Sequence, residues 1–207
     1  MRGQSQVVSV IILIALVMGA MALVLPWTYN MIQKRKDMKS VDDIYSFFQL
    51  LDDTIRNIAI NGGEESLEIK VPGQIIVYPD PSSSYLNNSI IFSFRSLVSF
   101  IAECDPTITP PDCWIPLNTP NMNMTGTLGV DSPSIIFGKT ERAEDKLDVQ
   151  YRLWYRGLND TPTHGYKIVL KTSNNQDKNS TVGFIRIQRI KSTSSQSLTT
   201  TEINIIV

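Results

Sequence analysis

Histidine and cysteine are nearly absent from this 207-residue chain: His164 is its one imidazole, and Cys104 and Cys113 are its two thiols. A zinc centre of four Cys or His ligands cannot be assembled from three residues, which leaves carboxylates as the supply of metal ligands. An excess of either charge is missing too, with 19 Lys+Arg against 20 Asp+Glu. No basic surplus exists to neutralise a phosphate backbone, and basic and aromatic residues do not interleave, so nucleic acid is not an expected partner. Gly-x-Ser-x-Gly, His-Glu-x-x-His, Gly-x-x-x-x-Gly-Lys and Gly-x-Gly-x-x-Gly are all absent, which removes the common signatures of hydrolase, zinc-protease and nucleotide chemistry. His164 falls in Thr-Pro-Thr-His-Gly, read as an exposed turn. Asp42-Asp43 and Asp52-Asp53 read as the solvated side of a helix, with Glu64-Glu65 at its end. The expectation is a protein that is not an enzyme, with no cofactor and no metal.

What is present is a long apolar run. Residues 7–25 read VVSVIILIALVMGAMALVL, without a single charge. As a helix rising ~1.5 Å per residue they would span about 28 Å, close to the ~30 Å hydrocarbon core of a bilayer. Pro26, Trp27 and Tyr29 follow, the aromatics standing where an interfacial belt would place them, and then the basic residues Lys34, Arg35, Lys36 and Lys39. Three fates compete for this segment. As a secretory signal it would be cut after Ala20-Met21-Ala22, inside the apolar run. As a permanent anchor it would hold a single-pass protein, and the basic residues after it, read alone, would place the rest of the chain in the cytoplasm.

The third fate starts from the short basic leader Met1-Arg2-Gly3, followed by Gln4-Ser5 and then the uncharged helix. This arrangement resembles the class III leader of archaeal type IV pilin-like proteins. The resemblance implies cleavage after Gly3 by a prepilin peptidase, with Gln4 as the new first residue, and retention of the apolar helix on the mature chain. Val8 stands at the fifth mature position, where the glutamate common in pilin helices is absent. The resemblance also implies membrane insertion before assembly, a homopolymer built through the N-terminal helices, and dependence on pilus assembly machinery. The small residues Ala15, Gly19, Ala20 and Ala22 would then allow close helix packing.

Beyond Pro26 the apolar spacing changes. Val41, Ile44, Phe48, Leu51, Ile55 and Ile58 step by three and four, one stripe of an amphipathic helix that packs on its own domain. Asn61-Gly62-Gly63 supplies a C-terminal cap. Residues 4–60 thus predict a nearly continuous helix of roughly 85 Å, kinked at Pro26. After Gly63 the period becomes two. Strands are expected at 66–71, 74–78, 89–94, 97–102, 134–137, 148–155, 165–171, 182–190 and 199–206. The first two should form a hairpin about Pro72-Gly73, and turns should lie at 157–160 and 173–175. The fold class is therefore α+β: a leader (1–3), an apolar helix (4–31), its amphipathic continuation (32–61) and an antiparallel β-sandwich or barrel (64–207).

Cys104 and Cys113 bracket a loop with three prolines, and a bridge between them would stabilise it by roughly 3 kcal/mol in the chain-entropy model. Two cysteines with none left over point to an oxidising compartment. Four Asn-x-Ser/Thr sequons, at Asn87, Asn123, Asn159 and Asn179, are expected in turns and loops as glycosylation candidates. The leading reading is a structural subunit of a pilus-like filament at the cell surface. The alternative is a single-pass extracytoplasmic β-sandwich that binds a surface layer or braces an envelope machine, similar to the stator-like proteins of the archaeal swimming filament.

Overall fold

The computed structural model describes residues 2–81, 85–104, 113–161, 164–181, 183–195 and 197–207, with side chains from Val10 onward except those of 160, 161 and 164. One helix, α1 (Arg2–Asn61), runs unbroken for 60 residues through Pro26, about 90 Å of rod. It stops at the expected place: Gly62 and Gly63 take φ of 79° and 100°, and Gly62 N donates to Ile58 O at 2.8 Å. These are left-handed backbones that only glycine adopts at no steric cost. Arg189 Nη1 donates to Ile60 O at 3.3 Å, placing a cation on the helix's negative end.

Twelve strands follow among the described residues: β1 (Glu64–Glu68), β2 (Gln74–Tyr78), β3 (Ser89–Ser96), β4 (Ile115–Pro116), β5 (Thr125–Thr127), β6 (Ser134–Ala143), β7 (Lys146–Tyr155), β8 (Gly157–Thr161), β9 (His164–Lys171), β10 (Lys178–Ser180), β11 (Phe184–Ser194) and β12 (Leu198–Ile206). They form two six-stranded sheets, ordered β1-β11-β12-β9-β8-β5 and β10-β2-β3-β7-β6-β4. The second is antiparallel throughout, whereas the first is mixed, because β12 lies parallel to β9 and β5 parallel to β8. The C-terminal half of α1 touches both sheets. Val41, Ile44, Phe48, Leu51, Ile55 and Ile58, the whole predicted stripe, are buried in one core with residues of both. The architecture is α+β, a two-sheet head sharing its core with one long helix.

Several expectations fail, each for a physical reason. The hairpin about Pro72-Gly73 does not form: β1 pairs with β11 and β2 with β3 and β10. A tight hairpin turn needs positive φ, and Gly73 is not among the glycines that have it. The chain instead crosses between sheets, burying Leu67, Ile69 and Val71 on the way. Residues 97–102 form no strand, because side chains take over several of their backbone donors. Val98 N donates to Ser96 Oγ, Ile101 N to Ser99 Oγ, and Leu97 N to Asp37 Oδ2 on the helix. Residues 157–160 are strand β8 rather than a turn, and His164 opens β9. The turn at 173–175 is present, with Asn175 at φ 50°.

Candidate functional site

The helix divides sharply at Val41. Before it, the apolar side chains face outward all round: Leu16 is 70% exposed, Leu23 81% and Trp27 68%. Among the described residues this is the helix long and apolar enough, by length and composition, to cross a membrane. Such a segment fits membrane insertion or a signal sequence. Gly3 and Gln4 lie in the helix's first turn. Ala15, Gly19 and Ala22 are spaced by four and three residues and share one face, whereas Ala20 sits about 100° round from Gly19 and does not join them. A side chain at Gly19 would meet nothing within 4 Å.

Between span and head lies a charged collar. Lys34, Arg35, Lys36, Lys39, Asp42 and Asp43 are exposed, and no described ion pair includes any of them. Asp37 is committed to its own chain, where Gln33 Nε2 donates to Oδ1 and Leu97 N to Oδ2. Asp52, read from the sequence as part of the solvated side, is instead 6% exposed and faces the head. Tyr155 Oη donates to its Oδ1 at 2.8 Å and Ser134 Oγ to its Oδ2 at 2.7 Å. Ser134 and Tyr155 are direct partners across β6 and β7. Arg56 Nη1 stands 3.5 Å from Oδ2. Burial holds the Asp52 carboxyl above its usual range, against the lowering pull of Ser134, Tyr155 and Arg56. The missed signal was angular: position 52 lies on the helical wheel beside 41, 48 and 59, at the margin of the apolar stripe.

Three further polar residues carry the head and left no mark in the sequence pattern. Asn88, buried at φ 55°, joins the two sheets. Its Nδ2 donates to Tyr155 O and Ile168 O, and its Oδ1 accepts from Leu170 N, each at 2.8 Å. Arg156, 1% exposed, holds the loop ahead of β6 through Ser132 O, Asn121 O and Asn123 O. Arg152 lies on the outer face of the second sheet, its guanidinium 5.7–5.9 Å from the Phe137, Trp154 and Trp114 rings. Burial pulls it down to about 10, so it stays charged at neutral pH.

Cys104 and Cys113 are joined, with Cα atoms 5.5 Å apart, which fits an oxidising, extracytoplasmic setting; the prolines between them lie outside the described residues. Of the sequons, Asn87 and Asn123 are in loops as expected. Asn159 and Asn179 are not: they stand on β8 and β10. Asn123, Asn159 and Asn179 are exposed; Asn87 is half-buried, and the Ser89 of its sequon is fully buried. No group of three His, Cys, Asp or Glu among the described residues could hold a metal ion. No family model, curated protein or solved structure matches this chain.

Proposed function

We propose that this protein is a structural subunit of an extracellular pilus-like filament, inserted in the membrane as a precursor and polymerised through its N-terminal helix. The observation that carries this reading is the rigid coupling of an exposed apolar rod to the head. A membrane tether needs only about 20 apolar residues and works with a flexible linker. Here the same helix that is apolar and uncovered before residue 33 is clamped into the core from Val41 to Ile58 without a break. Such a rod fixes the head's position relative to the span, a requirement of regular assembly and not of simple anchoring.

Assembly would move the apolar segments from lipid into a helix bundle. That exchanges one apolar environment for another, so association rests on close packing and repeated lateral contacts. The face of Ala15, Gly19 and Ala22 supplies the close approach. The leader resemblance adds a prepilin peptidase cutting after Gly3 and a pilus assembly machinery as partners, with glycans on exposed sequons shielding the surface. N-terminal mass mapping of mature protein should return Gln4; Leu23 would mean a secreted soluble protein.

Gly19→Leu tests assembly directly. Leucine adds bulk on the small face without adding charge, so precursor should accumulate in the membrane at the normal level while fibres become short or absent in electron micrographs. Wild-type fibre number and length in Gly19→Leu and Ala22→Leu cells would refute the reading.

A further inference from the structure

Where α1 enters the head, a cavity of about 200 Å³ opens between Asp42, Tyr45, Phe100, Ile101, Leu117 and Tyr151. Its walls are apolar and aromatic: the Tyr45 and Tyr151 ring centroids are 6.3 Å apart, and Phe100 at the rim is 65% exposed. Asp42 brings the only charge among its described lining residues. That carboxylate is exposed and has no described hydrogen bond or ion pair.

An aromatic wall with a carboxylate at its edge favours arginine over other occupants. The guanidinium stacks on aromatic faces, its three methylenes cover apolar wall, and its planar fork matches a carboxylate. A purely apolar side chain would leave Asp42 unanswered, and a lysine ammonium holds its water more strongly. The chain has an arginine in the collar just before the cavity. Arg35, in the collar, is exposed and lacks a described acidic partner. It lies seven residues before Asp42, about 10 Å along the axis, too far for the i,i+4 pairing available within one helix. Within one copy, no described ion pair joins Arg35 or Asp42 to any partner.

We propose that the cavity beside Asp42 receives Arg35 of a second copy, whose helix is offset by about 10 Å along the axis. The contact is heterologous: each copy gives Arg35 to one neighbour and takes Arg35 from another, so it propagates along a fibre instead of closing a dimer. This rests on the filament reading and names the residues that set its lateral register.

Charge exchange tests it in cells that display the full-length chain. Asp42→Arg and Arg35→Asp should each lower fibre number at least about ten-fold, the effect of 1.4 kcal/mol per contact, with precursor level and protease accessibility of the head unchanged. The double variant Asp42→Arg, Arg35→Asp restores opposite charges and should recover fibres. Co-expressed chains carrying Arg35→Cys and Asp42→Cys should also cross-link under mild oxidation. Normal fibres in both single variants would overturn the proposal, as would a double variant no better than either single one. Fibres of the cysteine chains that yield no cross-link would overturn it too. If the wild-type chain forms no fibres, the filament reading itself falls and takes this contact with it.

Discussion

Tyr155→Phe removes one oxygen atom from the middle of the helix-to-head contact, and its cost follows from the geometry. The hydroxyl donates to Asp52 Oδ1 at 2.8 Å, and both side chains are buried. The ring keeps its packing in phenylalanine, so the change isolates one hydrogen bond to an acidic acceptor, worth about 1.5–3 kcal/mol. For a domain of this size that is a fall of about 3–12 °C in Tm. The measurement is thermal or urea unfolding of the full chain in detergent micelles, followed by the fluorescence of Trp114 and Trp154. The pH dependence of Asp52→Asn supplies a second arm. Because burial raises the Asp52 carboxyl in the folded protein, the folded state holds its proton more tightly than the unfolded state. Its contribution to stability is then largest below the unfolded value of about 3.9 and declines as pH rises through the folded value. Stability of the wild type relative to Asp52→Asn should therefore fall as pH rises above the unfolded value. A loss under about 0.5 kcal/mol for Tyr155→Phe would refute the bond's role. A wild-type advantage that grows with pH would show a depressed carboxyl and refute the sign.

Asn88→Ala strands two carbonyls and one amide between the sheets and should cost about 3 kcal/mol or more by urea titration. Asn88→Gly, which suits the left-handed backbone, should recover only about 1–2 kcal/mol of that. Protein from cells should resist alkylation until reduced, and the Cys104→Ser, Cys113→Ser double variant should lose about 3 kcal/mol; free thiols in native material would contradict the oxidising location. Peptide mapping should find glycans at Asn123, Asn159 or Asn179 in preference to Asn87, because the Ser89 hydroxyl is buried and bonded to Leu86 O. Occupancy confined to Asn87 would overturn that ranking.

The long helix was legible because both its signals are local. An uncharged run of membrane length and a three-four spacing each depend on one stretch of chain, and the Gly62-Gly63 stop depends on backbone freedom alone. Strand positions were legible for the same reason where alternation was strong, as along Val149, Tyr151, Leu153 and Tyr155, all buried. Pairing was not, because which strands meet depends on how the helix divides the core. The sequence pattern at 66–78 fits a hairpin as well as the observed crossing between sheets. The short strands β4, β5 and β10 are held by neighbours rather than by their own pattern, and β8 carries Gly157, Asn159 and Asp160, residues that favour turns. Polar residues in the core were hidden most deeply. Asn88, Arg152 and Arg156 look like surface residues until the elements that satisfy or enclose them are in place.

Asp52 shows why a core built from such a regular stripe needs a polar member. Val41, Ile44, Phe48, Leu51, Ile55 and Ile58 recur at nearly helical period, so a slide of α1 by one turn, about 5.4 Å, would put apolar residues against apolar sites again. Hydrophobic burial alone discriminates weakly between those registers, since it is non-directional and scales with area. Asp52 does not repeat: one turn away stand Phe48 and Arg56, neither of which accepts from Tyr155 and Ser134. In the slid register the carboxylate would be buried without its donors and the two hydroxyls would lose their acceptor, costs of about 1–3 kcal/mol for each group. A buried polar residue that fixes register while adding little net stability has precedent in packed helices generally. For this protein the register sets how far the apolar rod and the Arg35 collar stand from the head. A helix free to slip a turn would blur every contact that depends on that distance.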